Sequence, residues 1–122
     1  MKTLTLHKPD TGRAAVIAHS AAVADSFASR FLGLMFRRAF GRADALVLTP
    51  CASIHTFFMR FCIDVIFTDA AGRIVDLRES LRPWRCFMPR RGARAALEMP
   101  AGAIRTHNIK TGDMISGCFQ PD

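Results

Sequence analysis

Tyrosine is absent from this 122-residue chain, and tryptophan occurs once. No phenol is available as an acid, a nucleophile or a radical. Acidic residues are scarce: ten Asp and Glu stand against 17 Lys and Arg, for a formal charge of +7. That imbalance rules out an acidic solvating chain and directs attention to anionic partners. Cysteine occurs four times, at Cys51, Cys62, Cys86 and Cys118, but never as C-x-x-C. A zinc ribbon and a thioredoxin-type motif are thereby excluded. No two of the cysteines and histidines show zinc-finger spacing, so neither a metal nor a cofactor is expected. No segment reaches the roughly 18 apolar residues needed to span a bilayer. Ala14 to Ala24 is small and apolar, but His19 interrupts it and Asp10 precedes it, which makes a poor signal peptide. The expectation is a cytoplasmic protein with reduced thiols.

What is present fits one domain over residues 1–122. Half the residues are hydrophobic, with ten Phe and six Met to fill a core. Fourteen of the 17 cations are Arg, whose planar fork suits carboxylates and phosphates. Arg82, Arg85, Arg90, Arg91 and Arg94 fall between Ser80 and Leu97, a stretch with no acidic residue.

The chain divides readily. Lys2 to Lys8 alternates and stops at Pro9, as an edge strand would. Pro9-Asp10-Thr11-Gly12 is turn chemistry, with Arg13 to Ala18 returning. Asp25 can cap a short helix whose buried stripe is Phe27, Phe31 and Leu34, ended by Gly33. Ala45 to Thr49 reads as a strand stopped by Pro50. Cys51 to Met59 reads as a strand covered on both faces, breaking near Arg60 to Cys62. Ile63 to Thr68, the loop Asp69 to Gly72, and Arg73 to Arg78 form a second hairpin. Glu79 to Gly92 is the longest irregular region, and long loops in compact domains usually carry function. Ala93 to Met99 is a strand; Pro100-Ala101-Gly102 opens a helical turn that Asn108 closes in a left-handed conformation. Met114 to Phe119 is the last strand. The expected fold is a β-dominated α+β domain, a closed or half-closed barrel of about eight short strands with one short helix.

The stretch CASIHTFFMRFCIDVIFTD carries His55, Arg60 and Asp64 within the longest apolar run. Such groups are drawn toward the core and must find partners there. Cys51 and His55 invite a nucleophile–base reading, but residues four apart on a strand are about 13 Å apart, and a hydrogen bond needs about 3 Å. Asp64 suits either a ligand contact or a structural carboxylate that Arg60 or a backbone amide cluster satisfies. Glu98, between Leu97 and Met99, has a similar apolar setting. Trp84, between Arg82 and Arg85, suits a flat platform with a cationic rim or a cap over the core.

Four motifs resemble a known family. They are Arg30 followed by Gly33-Leu34-Met35-Phe36-Arg37; Ile54-His55-Thr56-Phe57-Phe58-Met59; Ile63-Asp64-Val65-Ile66-Phe67 before Gly72; and Leu97-Glu98-Met99-Pro100-Ala101-Gly102 followed by Ile109 and Gly112-Asp113. Together they are similar to the small bacterial and archaeal domains called DUF192 or UPF0127. Cys62 departs from the pattern, which usually has proline there. The resemblance implies a compact β-rich domain with one short helix, and it leaves the function open. It marks Arg37, His55, Met59, Asp64 and Glu98 as site candidates; Cys51, Arg82, Trp84 and Arg85 join them on physical grounds.

The leading expectation is a binding module whose groove, floored by Cys51 to Met59 and rimmed by the Arg82–Arg85 loop, takes a small anion or an acidic peptide end. The alternative is a hydrolase or transferase using Cys51, or a water near His55 and Asp64. Nonspecific nucleic-acid binding through the arginines is the weakest reading, because only Trp84 and Phe87 are interleaved with them and no nucleic-acid-binding signature occurs.

Overall fold

Turn chemistry punctuates the chain where expected, and the strands between the turns assemble mainly into one large mixed sheet. The computed structural model describes residues 2–24, 44–51, 53–56 and 59–117. The helix expected from Asp25, and Arg37 beyond it, lie outside the described residues. Among those described, the order is β1 (Lys2–Lys8), β2 (Arg13–Ala24), β3 (Ala45–Leu48), β4 (Ile54–His55), β5 (Ile63–Thr68), β6 (Ile74–Leu81), β7 (Cys86–Phe87), β8 (Ala95–Pro100), α1 (Ala103–Thr106) and β9 (Met114–Ser116). Seven strands form one sheet in the order β6-β5-β8-β3-β2-β1-β9, and β4 pairs with β7 separately.

The first hairpin turns because the Thr11 and Gly12 amides both donate to the Lys8 carbonyl, with Gly12 in the left-handed conformation that favours glycine. β1 is not the edge strand its terminal proline predicted, since β9 pairs with its other side. Pro9 follows the strand and so removes no ladder donor, and Leu4 and Leu6 are buried. Gly117, just past β9, packs so closely on β1 that a Cβ there would lie 2.1 Å from the Thr3 carbonyl oxygen. β2 runs on to Ala24 and lies parallel to β3; the other pairings are antiparallel. β5 is buried at all six positions, because strands flank it on both sides and both faces are covered.

The two faces of the sheet follow the period of two. Leu97 and Met99 of β8 join Val47, Ile66, Leu4 and Ile115 in one core. Ala96 joins Leu48, Val65, Phe67, Ile54 and Met59 in a second core on the opposite face. The domain is mostly β, with one short helix among the described residues. Among the described residues no sheet closes into a barrel. β6 and β9 meet only at an antiparallel bridge between Arg73 and Met114, with the Ile74 and Ile115 amides donating to Asp113 and Gly72 at 2.8 Å. β9 spans three residues and β6 eight, so the contact ends where β6 begins.

The central stretch corrects a second expectation. Among the described residues of Cys51 to Met59, Ile54 and His55 are strand. The Cys51 thiol donates to the Ser53 carbonyl at 2.8 Å, and the Met59 amide donates to the Thr56 carbonyl. The chain bends on both sides of β4, because local hydrogen bonds compete with ladder pairing. The floor of the expected groove is therefore not a continuous extended strand.

Candidate functional site

Thr56 is the residue that builds the site. It is fully buried, and a hydroxyl within an apolar run must find partners. Its Oγ1 donates to the Arg82 carbonyl at 2.6 Å and accepts from the Arg85 amide at 2.8 Å. Its backbone amide donates to the Arg85 carbonyl at 2.7 Å, and its carbonyl accepts from the Trp84 amide at 2.9 Å. One threonine thus pins both ends of Arg82-Pro83-Trp84-Arg85 against β4. Thr56 is not among the sequence-derived candidates; the hydroxyl between His55 and Phe57 is the signal that points to it.

The pinned loop and β4 place several candidates together. Ile54 pairs with Phe87 and His55 with Cys86. Ile54 and Phe87 face the second core, where Phe87 packs on Phe67 at 5.6 Å under the Arg78 guanidinium. The alternation turns His55 and Cys86 the other way; His55 is half-buried and Cys86 exposed. The thiol across from His55 is therefore Cys86 and not Cys51. Trp84 does not cap the core: it is 56% exposed. Its φ of 63° is a left-handed conformation that costs a bulky L-residue about 1–2 kcal/mol, held by the Thr56 bonds. Arg82 and Arg85 are exposed, as are Arg90, Arg91 and Arg94. The two salt bridges among the described residues, Lys8–Asp113 and Arg105–Glu79, involve none of the five.

Asp64 lies elsewhere. It is fully buried. Its Oδ1 accepts the Ser80 amide at 2.9 Å, and its Oδ2 accepts the Gly102 and Ile104 amides at 3.0 and 2.9 Å. This is the amide cluster that an isolated buried carboxylate requires; it joins β5 and β6 to the start of α1. Asp64 alternates with Val65 and so faces the first core, away from the face where Ile54 packs. His55 belongs to β4 of the two-stranded sheet and Asp64 to β5 of the large one.

Glu98 projects on the second-core side of β8, between Leu46 of β3 and Val65 of β5. It is 3% exposed, and its Oε2 is buried with no hydrogen-bond partner among the described residues. Burial pushes its carboxyl up to about 8. At neutral pH the group is mainly protonated. Met59 is buried on the same side.

The arrangement defines a class: a β-rich domain carrying an arginine-rich loop stapled to one face of its sheet. The family model described as Uncharacterized ACR, COG1430 (DUF192), matches residues 8–117. A UPF0127 protein of Thermococcus sibiricus is 42% identical over 97 residues, 76% of this chain and 62% of the relative. A UPF0127 protein of Pyrococcus furiosus is 41% identical over 97 residues, 75% of this chain and 81% of the relative. The chain belongs to the DUF192 (UPF0127) family. It spans less than two-thirds of the length of the Thermococcus relative. In solved structures, the fold is similar to that of a proposed transcription regulator from Sinorhizobium meliloti, with a TM-score of 0.84 at 20% identity over 98% of this chain and 95% of that one. It is also similar to a protein of unknown function from Novosphingobium aromaticivorans, with a TM-score of 0.79 at 22% identity over 93% and 83%. At those identities the likeness is one of fold.

Proposed function

We propose that this domain is a binding module that takes a small anion or an acidic peptide end at the Arg82–Arg85 loop. One observation carries the reading: Thr56 fixes a loop that presents Arg82, Trp84 and Arg85 to solvent. Neither guanidinium is spent on a salt bridge among the described residues. Fixing the loop in advance reduces the ordering cost of binding. Guanidinium forks bind carboxylate or phosphate oxygens, and the indole face supports an apolar or planar body. His55 lies beside this loop through its pairing with Cys86.

Trp84 is the only tryptophan and tyrosine is absent, so emission reports on this loop. Titration with citrate should give a saturable change that the Arg82→Ala, Arg85→Ala double variant loses, with its melting temperature nearly unchanged. An unchanged emission on citrate addition, or a double variant that binds as tightly as the parent, overturns the proposal. Unfolding of the double variant would assign the arginines a structural role instead.

A further inference from the structure

Two of the four exposed large hydrophobic residues among the described residues flank β7, Trp84 in the pinned loop and Met88 directly after the strand; they are 56% and 76% exposed. Arg82 and Arg85 flank the first, and Arg90 and Arg91 follow the second, all exposed. A small soluble anion can engage two or three guanidiniums and gains nothing from Met88. The surface is larger than the ligand class of the proposed site requires.

We propose that the segment from Arg82 to Arg91, which includes β7, docks on an anionic bilayer. Trp84 and Met88 enter the headgroup layer and the arginines meet lipid phosphates. This rests on the anion-binding reading and names the partner that presents the anion. Trp and Met have apolar bodies suited to the membrane boundary, and Trp adds an N–H that stays hydrated there. Basic side chains near a surface rich in anionic lipid add attraction residue by residue. The display is built into the fold: Thr56 holds the loop at Arg82, Trp84 and Arg85, and Trp84 sits in a left-handed backbone conformation. One acid of β6, Asp76, touches this segment and offsets part of its charge. Asp76 accepts the Arg90 amide and the Leu77 amide, and Glu79 lies 4.0 Å from Arg105. The stretch 80–97 contains no acid of its own.

The test uses the full chain with vesicles of phosphatidylcholine alone and of phosphatidylcholine with phosphatidylglycerol. The expected result is co-sedimentation at least about tenfold stronger on the anionic vesicles, reversed by high salt, with a blue shift of Trp84 emission. Met88→Ser should weaken sedimentation, and Arg82→Ala with Arg85→Ala should abolish it, while circular dichroism shows both variants folded. Vesicle binding without an emission shift would place the contact elsewhere and overturn the inference. A blue shift with soluble polyglutamate but none with vesicles would assign the surface to an acidic protein and overturn it too. Citrate binding without vesicle binding would refute the bilayer and leave the anion site standing; loss of both would refute both.

Discussion

Removing the charge from Glu98 should change how stability depends on pH. In the folded chain this carboxyl is buried without a partner for Oε2 among the described residues. Burial raises its pKa from 4.5 to about 8. The unfolded chain releases the proton near the ordinary value, whereas the folded chain keeps it until about pH 8. The favourable term is therefore fully present below about pH 4.5 and is lost as pH rises through about 8. Each pH unit in that window costs the folded state about 1.4 kcal/mol, so the whole interval costs about 5 kcal/mol. That is a large fraction of the roughly 5–15 kcal/mol that holds a domain folded. Glu98→Gln keeps the shape and cannot ionise. Urea unfolding followed by circular dichroism should give parent and variant a stability difference that grows in the variant's favour between pH 5 and pH 8. Any fixed offset from the buried amide leaves that growth intact. Parallel pH profiles would refute the assignment, as would a variant that loses more stability than the parent toward pH 8.

Three further outcomes follow. Thr56→Val removes the hydroxyl that joins Arg82 to Arg85 and should cost about 1–3 kcal/mol, with faster amide exchange confined to residues 82–86; exchange unchanged there would deny Thr56 its role as staple. Asp64→Ala strands the Ser80, Gly102 and Ile104 amides and should cost more than about 3 kcal/mol in urea unfolding, whereas a loss below about 1 kcal/mol would show those bonds to be dispensable. Iodoacetamide on the native chain should label Cys86, which is exposed, ahead of half-buried Cys51 and Cys62; peptide mapping that finds Cys51 first would revive it as a nucleophile.

Much of the strand inventory was legible in the residues. Ile63 to Thr68 has the bounds expected of it, and its hairpin turns where Asp69 Oδ1 accepts the Ala71 and Arg73 amides. Asn108 takes the left-handed conformation expected of a helix-closing asparagine. Pairing was less legible. Nothing local in Lys2 to Lys8 shows that β9 will cover its second side, and nothing in Ala45 to Leu48 shows a parallel neighbour. The run from Cys51 to Met59 has apolar residues at both parities, so periodicity cannot separate a two-sided strand from a bent segment. The Thr56 hydrogen bonds decide for the bend. Asp64 was legible as a carboxylate needing amides, but which amides depended on α1 meeting β5. The residue type of Trp84 left a platform and a core cap equally open, and its backbone conformation with the Thr56 contacts explains its exposed place.

The most direct measurement is amide and indole shift mapping by nuclear magnetic resonance during addition of citrate. Saturable shifts centred on the Trp84 indole and on the Arg82, Arg85 and Cys86 amides are the result this account predicts. Shifts centred on the β1–β2 hairpin, or no saturable shifts at all, would contradict it.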